Sequence, residues 1–356
     1  MIEKREFYIN GQWVAPSQAN DFAVIDPSTE AACAVISLGS EADTNAAVAA
    51  AKAALPGWIA TPPAERIAMV EKLVDAYQAR GEDLAQAISA EMGAPIDMAR
   101  SQQVGAGIYH LKNFIRAAKA FQFEKPLGDH APNDRIIHEA VGVAALITPW
   151  NWPMNQITLK VGAAAISGCT MVLKPSEQSP LNAMLFAEMM DEAGFPKGVF
   201  NLVNGDGVGV GSQLTAHPDV DMVSFTGSTR GGIKVAEAAA PTIKRVTQEL
   251  GGKSPLIITA DADLEAAVSY GVEDVMINTG QTCTALTRML VPRSRYAEAV
   301  ATAKRVAEGY ELGTGAAFMG PMSSAQQQAS VLQLIQRGLD EGATLVTGGL
   351  DMPEGL

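Results

Sequence analysis

Cysteine and histidine are scarce in this chain of 356 residues, which carries three of the first and four of the second. Cys33, Cys169 and Cys283 are odd in number, widely spaced and without a CxxC pair, which supports neither a disulfide framework nor a zinc knuckle. His110, His130, His138 and His217 form no ligand cluster, so no metal is expected. Long apolar runs are missing too: no stretch of about 18 uninterrupted apolar residues is present to span a bilayer. The opening MIEKREFYINGQW has neither the apolar core nor the cleavage pattern of a secretory leader, and a cytoplasmic location is expected. Basic residues are in the minority, 26 against 39 acidic ones, and the formal net charge of -13 disfavours nucleic acid and anionic membranes. A small-molecule partner fits better.

What is present is the composition of a folded protein, 47% hydrophobic and 18% charged, in a chain long enough for two or more domains. Near the start, FYINGQWV places Asn10 and Gly11 between two apolar runs and predicts a hairpin. The Ala-rich segment 41–55 and segment 63–92, with Val70, Leu73, Val74, Tyr77, Leu84 and Ile88 near one face, predict helices. From Val143 onward, short β-rich runs at 143–147, 170–173, 199–203, 222–225 and 244–250 alternate with helical segments at 153–167, 180–193, 207–217 and 228–239. Such alternation predicts a parallel, doubly wound α/β sheet whose ligands gather where strands end and helices begin. A second α/β unit begins after Gly251 and Gly252, with a strand from Pro255, another over 288–292, and helices over 297–310 and 323–339.

Cys169, within SGCTMVL, and Cys33, within AACAV, read as small core residues. The glycines 205, 207, 209 and 211 miss the Gly-x-Gly-x-x-Gly spacing in every register, so the usual dinucleotide fingerprint fails. Glu177 still follows a strand, where doubly wound folds often set a carboxylate on ribose hydroxyls; a solvated loop glutamate is the competing reading.

Five strings then occur in order: TPWNWP at Thr148, LKPSEQSP at Leu173, FTGSTRGG at Phe225, ELGGKSP at Glu249 and GQTCTALTR at Gly280. Together they resemble the aldehyde dehydrogenase superfamily, over essentially the whole chain from INGQW to the MGPMSSAQQ segment at Met319. The resemblance implies oxidation of an aldehyde to the carboxylic acid with NAD(P) on a Rossmann-like coenzyme domain joined to an α/β catalytic domain. Cys283 matches the nucleophile that forms a thiohemiacetal and then a thioester, a role that needs a thiolate. Asn151 and the backbone N–H of Cys283 match the oxyanion donors, although Asn151 taken alone reads equally as a turn residue. Glu249 matches the base that activates the hydrolytic water; partial burial is expected to raise its pKa, and a strand-end cap is the other reading. Relatives that pass the acyl group to coenzyme A generally lack this glutamate, so hydrolysis is favoured.

The same likeness assigns the cofactor to Ile147, Thr148, Pro149, Trp150, Lys174, Pro175, Ser176, Glu177, Gly205, Gly227, Ser228 and Leu250. Lys174 and Glu177 would hold the adenosine ribose, and Gly227 and Ser228 open a helix whose N–H groups favour a pyrophosphate. Glu177 should repel a 2′-phosphate, so NAD is expected over NADP, with NADP possible. Trp152, Asn155, Gln156, Leu159, Thr282 and Thr284 match the substrate wall; Asn155, Gln156 and Leu159 stand where relatives acting on simple aldehydes often carry larger apolar groups, which implies a more polar or wider tunnel. Segment 121–141 alternates as strand, turn and strand and resembles a hairpin that reaches a neighbouring subunit, so a homodimer or homotetramer is expected, against a plain surface hairpin. The implied division is a coenzyme domain over 1–120 and 141–251, a hairpin over 121–140 and a catalytic domain over 252–356. Family members continue past Leu356, so that last domain is expected to be incomplete and to expose apolar surface.

Overall fold

The computed structural model describes residues 1–313 and 318–352. Its centre is a seven-stranded sheet in the order Arg245–Leu250, Met222–Gly227, Val143–Ile147, Thr170–Lys174, Phe200–Leu202, Phe7–Ile9 and Gln12–Val14. The first five are parallel, and the last two form an antiparallel hairpin on the far edge. Val143, Ala145 and Ile147 pack into a core on one face, and Ala144 and Leu146 into a core on the other. Burial on both faces explains why these strands read as unbroken apolar runs. In the hairpin, Asn10 and Gly11 turn the chain with φ of 52° and 73°, the left-handed pair that a two-residue turn between twisted strands requires.

Helix boundaries follow the local chemistry. Pro153 opens Pro153–Ser167 at a position where a missing N–H costs nothing, and Gly168, at φ 88°, closes it. The helix expected over 63–92 is two helices, Pro63–Ala79 and Gly81–Met92, because Arg80 leaves the helical region just before a glycine. Helix Glu41–Ala60 runs on past Pro56, its last turn anchored by the buried Trp58, whose ring lies 5.8 Å from that of Phe195. The helical stretch expected over 207–217 is a π-helical turn, Gly207–Gly211, followed by Ser212–Ala216. Two features had no sequence expectation: the three-stranded sheet of Ile2–Lys4, Ala31–Ser37 and Asp21–Asp26, and helix Val104–Ala120. Strands Glu124–Pro126 and Arg135–Ile137 pair as an exposed antiparallel hairpin.

Residues after Gly252 gather round a smaller core of Ile258, Leu264, Val268, Val272 and Ala299. Its sheet, among the described residues, is the parallel pair Pro255–Ile257 and Arg288–Leu290. Ile257 is 68% exposed and Tyr296 63%, so apolar surface is open to solvent there. Residues 314–317 and 353–356 of the expected catalytic domain lie outside the described residues.

One buried carboxylate carries a testable consequence for stability. Pro180 offers no side-chain cap to helix Leu181–Glu192, and Glu91 of the neighbouring helix supplies one. It accepts from Leu181 N at 2.6 Å, Asn182 N at 3.0 Å and Asn182 Nδ2 at 2.5 Å. Burial outweighs these donors and raises the carboxyl from 4.5 to about 7. The folded state therefore binds the extra proton, and the stabilisation is fully present below 4.5 and lost as pH rises through about 7. Glu91→Gln is expected to flatten the Tm against pH across that window. It should also cost about 1–3 kcal/mol, because the new amide nitrogen faces an N–H donor. Thermal melts of both proteins check this, and an unchanged slope would exclude Glu91 as the titrating group.

Candidate active site

Two loops meet where the sequence reading put the chemistry. The first follows strand Val143–Ile147 and carries Thr148 to Trp152; the second follows helix Leu264–Met276 and carries Asn278 to Thr284. Asn151 Nδ2 donates to the carbonyl of Gln281 at 2.9 Å, and Trp152 Nε1 donates to Thr282 Oγ1 at 3.0 Å. The Asn151 carbonyl in turn accepts from Asn278 Nδ2 at 2.8 Å and from Gln103 Nε2 at 3.0 Å. Gln281 locks the second loop by donating to Asn278 O and accepting from Ser323 N. Cys283 sits at the end of this clamp, half-buried. The turn before it is strained: Asn278, Thr279 and Gly280 have φ of 55°, 58° and 73°, and a β-branched threonine there costs about 1–3 kcal/mol. Gly252 of the ELGGKSP string approaches so closely that a Cβ on it would lie 3.1 Å from the Cys283 carbonyl oxygen.

The cofactor candidates follow the carboxyl ends of the parallel strands, whose order reverses between Val143–Ile147 and Met222–Gly227, the usual ligand position in such sheets. Ile147, Thr148, Pro175, Ser176 and Gly205 are buried, while Pro149, Trp150, Glu177, Gly227 and Leu250 are partly open and Ser228 is exposed. Lys174 Nζ donates to the carbonyls of Pro175 at 2.5 Å and Gly205 at 2.7 Å, with Glu177 Oε2 at 3.8 Å. Burial lowers the Lys174 pKa, against the pull of Glu177 and Asp206. The buried Thr148 hydroxyl has no partner among the described residues. Ser228 caps helix Thr229–Ala239, and a Cβ on Gly227 or Gly231 would strike the Phe225 ring at 2.6 or 2.8 Å, so the backbone there stays bare. A lysine with a third proton, a carboxylate, an orphan hydroxyl and a bare helix start suit ribose hydroxyls and a pyrophosphate.

One expectation needs correction. Glu249 is exposed, not partly buried, because it lies on the outermost parallel strand, where alternate residues face solvent. Gln156, of the expected substrate wall, is buried and accepts from Thr226 Oγ1 at 3.1 Å. Trp152, Asn155, Leu159 and Thr282 are half-buried and Thr284 is exposed.

The family model described as aldehyde dehydrogenase family matches residues 13–355. The chain belongs to the aldehyde dehydrogenase family. It is 48% identical to a 3-succinoylsemialdehyde-pyridine dehydrogenase of a Pseudomonas species, over 100% of this chain and 75% of that protein. An aldehyde dehydrogenase structure from Bartonella henselae matches with a TM-score of 0.97 and 54% identity, covering 100% of this chain and 75% of that one. Aldehyde dehydrogenase C of Pseudomonas syringae, a cysteine-to-alanine mutant with NAD+ and octanal, matches with a TM-score of 0.96 and 47% identity, covering 99% and 72%.

This aldehyde dehydrogenase is thus an NAD(P)-dependent oxidoreductase of aldehydes, as the five strings implied. Among its described residues no helix is long and apolar enough to cross a membrane, and no group of His, Cys, Asp or Glu is arranged to hold a metal. The clamp residues Gln103, Asn278 and Gln281 had no expected role. Asn278 and Gln281 lie within or beside the GQTC string, so their position carried a signal; Gln103, in the π-helical segment Ala99–Gln103, carried none.

Proposed function

We propose that this aldehyde dehydrogenase works through a thioester on Cys283, and the observation that supports it most is the double tether of Asn151 and Trp152 to Gln281 and Thr282. The thiolate bonds to the aldehyde carbon, and negative charge develops on the oxygen within reach of the second Asn151 Nδ2 proton and the Cys283 N–H. Bound NAD supplies the hydride acceptor. Loss of hydride from that carbon leaves the acyl group on sulfur. Glu249, facing solvent, takes a proton from the water that attacks the acyl carbon; the C–S bond breaks, and the carboxylic acid and thiolate are released. Quenching during turnover, followed by peptide mass analysis, should find the acyl group on the Cys283 peptide. An adduct on Cys33 or Cys169 would overturn the assignment.

In this reading Lys174 and Glu177 hold the adenosine ribose, and Thr148, Pro149, Trp150, Gly227 and Ser228 follow the pyrophosphate path. The coenzyme domain spans 1–120 and 141–251, the catalytic domain starts at 252, and the hairpin over 121–140 contacts a second subunit. Glu177 favours NAD over NADP by repelling a 2′-phosphate. Glu177→Ser is expected to shrink the NAD:NADP ratio of kcat/KM about tenfold, the effect of removing roughly 1.4 kcal/mol of discrimination. A parent enzyme that prefers NADP would sink this part.

A further inference from the structure

Helix Pro153–Ser167 is buried along most of its first half, except on one stripe. Trp152, Asn155 and Leu159 are half-buried, whereas Met154, Gln156, Ile157, Thr158 and Lys160 are buried. Spacings of three and four put the open residues on one face. The stripe begins beside Cys283, since the Trp152 indole N–H is bonded to Thr282. Asn155 lies three residues further along, about 4.5 Å in rise. There it meets His110 of helix Val104–Ala120, with Nε2 and Oδ1 2.6 Å apart. When the ring donates, the Asn155 amide keeps both of its protons, and neither Asn155 Nδ2 nor His110 Nδ1 has another partner among the described residues.

We propose that His110 and Asn155 form a polar rim on the path to Cys283, selecting aldehydes whose tail carries an uncharged hydrogen-bond acceptor, in the simplest case a keto oxygen. His110 fixes the amide by its oxygen, and the amide protons receive the substrate. The donor is a neutral amide and the chain carries a net charge of -13, so no ion pair with this amide offsets the desolvation of a carboxylate tail. The inference rests on the thioester reading only in placing the aldehyde carbon at Cys283.

The test compares a γ-keto aldehyde with its alkyl counterpart of equal length as protectants of Cys283 against iodoacetamide, read by peptide mass so that Cys33 and Cys169 are counted apart. The keto compound is expected to protect at about tenfold lower concentration, the preference one well-placed neutral hydrogen bond supplies. Asn155→Leu and the smaller Asn155→Ala should each bring the ratio close to one, and His110→Phe should reduce it by freeing the amide. Equal protection in the parent chain, a ratio that survives both Asn155 substitutions, or stronger protection by a γ-carboxylate aldehyde would overturn the proposal. Protection needs no turnover. A preserved ratio without NADH formation would therefore count against the reaction at Cys283 and leave the rim standing.

Discussion

Cys283→Ala is expected to lower NADH formation from any aldehyde by about 10^4-fold or more while NAD still binds, since losing a covalent nucleophile removes the pathway and not just one contact. The substitution should leave the fold intact. Cys283 is half-buried, belongs to none of the three cores, and its sulfur makes no hydrogen bond among the described residues. The loop around it is held by Asn278 and Gln281, which the substitution does not touch. Absorbance at the reduced nicotinamide band gives the rate, and calorimetric titration with NAD gives the binding. Turnover within tenfold of the parent in C283A would end the thioester reading, whereas joint loss of NAD binding and Tm would point to a folding defect.

Much of the sheet was legible because its strands are buried on both faces. Val143–Ile147 has no polar side chain at all, so its run and the helix opened by Pro153 could be bounded to the residue. Strand Asp21–Asp26 mixes exposed and buried residues, starts and ends on aspartate, and pairs through a bulge between Val24 and Ile25, which erases a clean period of two. Helix Val104–Ala120 begins with Gly105 and Gly107, poor helix formers; Gly107 is small because Tyr77 lies against it, a Cβ there meeting the Tyr77 oxygen at 2.2 Å. At the site, the strings marked the two loops that meet and missed what holds them together. Gln103 reaches Asn151 across 48 positions and Asn278 across 127, both through a backbone carbonyl that any residue at 151 would present. The burial expected of Glu249 failed for another reason: its exposure depends on its strand lying outermost, which is a property of strand order and not of local sequence.

Asn151→Ala is expected to lower kcat by about 10^2- to 10^3-fold with KM little changed, the signature of a donor used only as charge develops on oxygen. The geometry supports that assignment. A side-chain amide has two N–H donors, and here one is spent on the Gln281 carbonyl at 2.9 Å, which fixes the direction of the other. Asn278 and Gln103 pin the backbone of the same residue, so the donor needs no rearrangement when the oxyanion forms. Asn151→Asp separates shape from donation: it keeps the size, loses both protons and sets a negative charge beside the developing one, so its kcat should fall at least as far as that of N151A. Asn278→Ala should cost less in kcat, because Gln103 still holds the Asn151 carbonyl. Steady-state kinetics on the three variants with one aldehyde decide the matter; an N151D enzyme as fast as the parent would remove Asn151 from the oxyanion site.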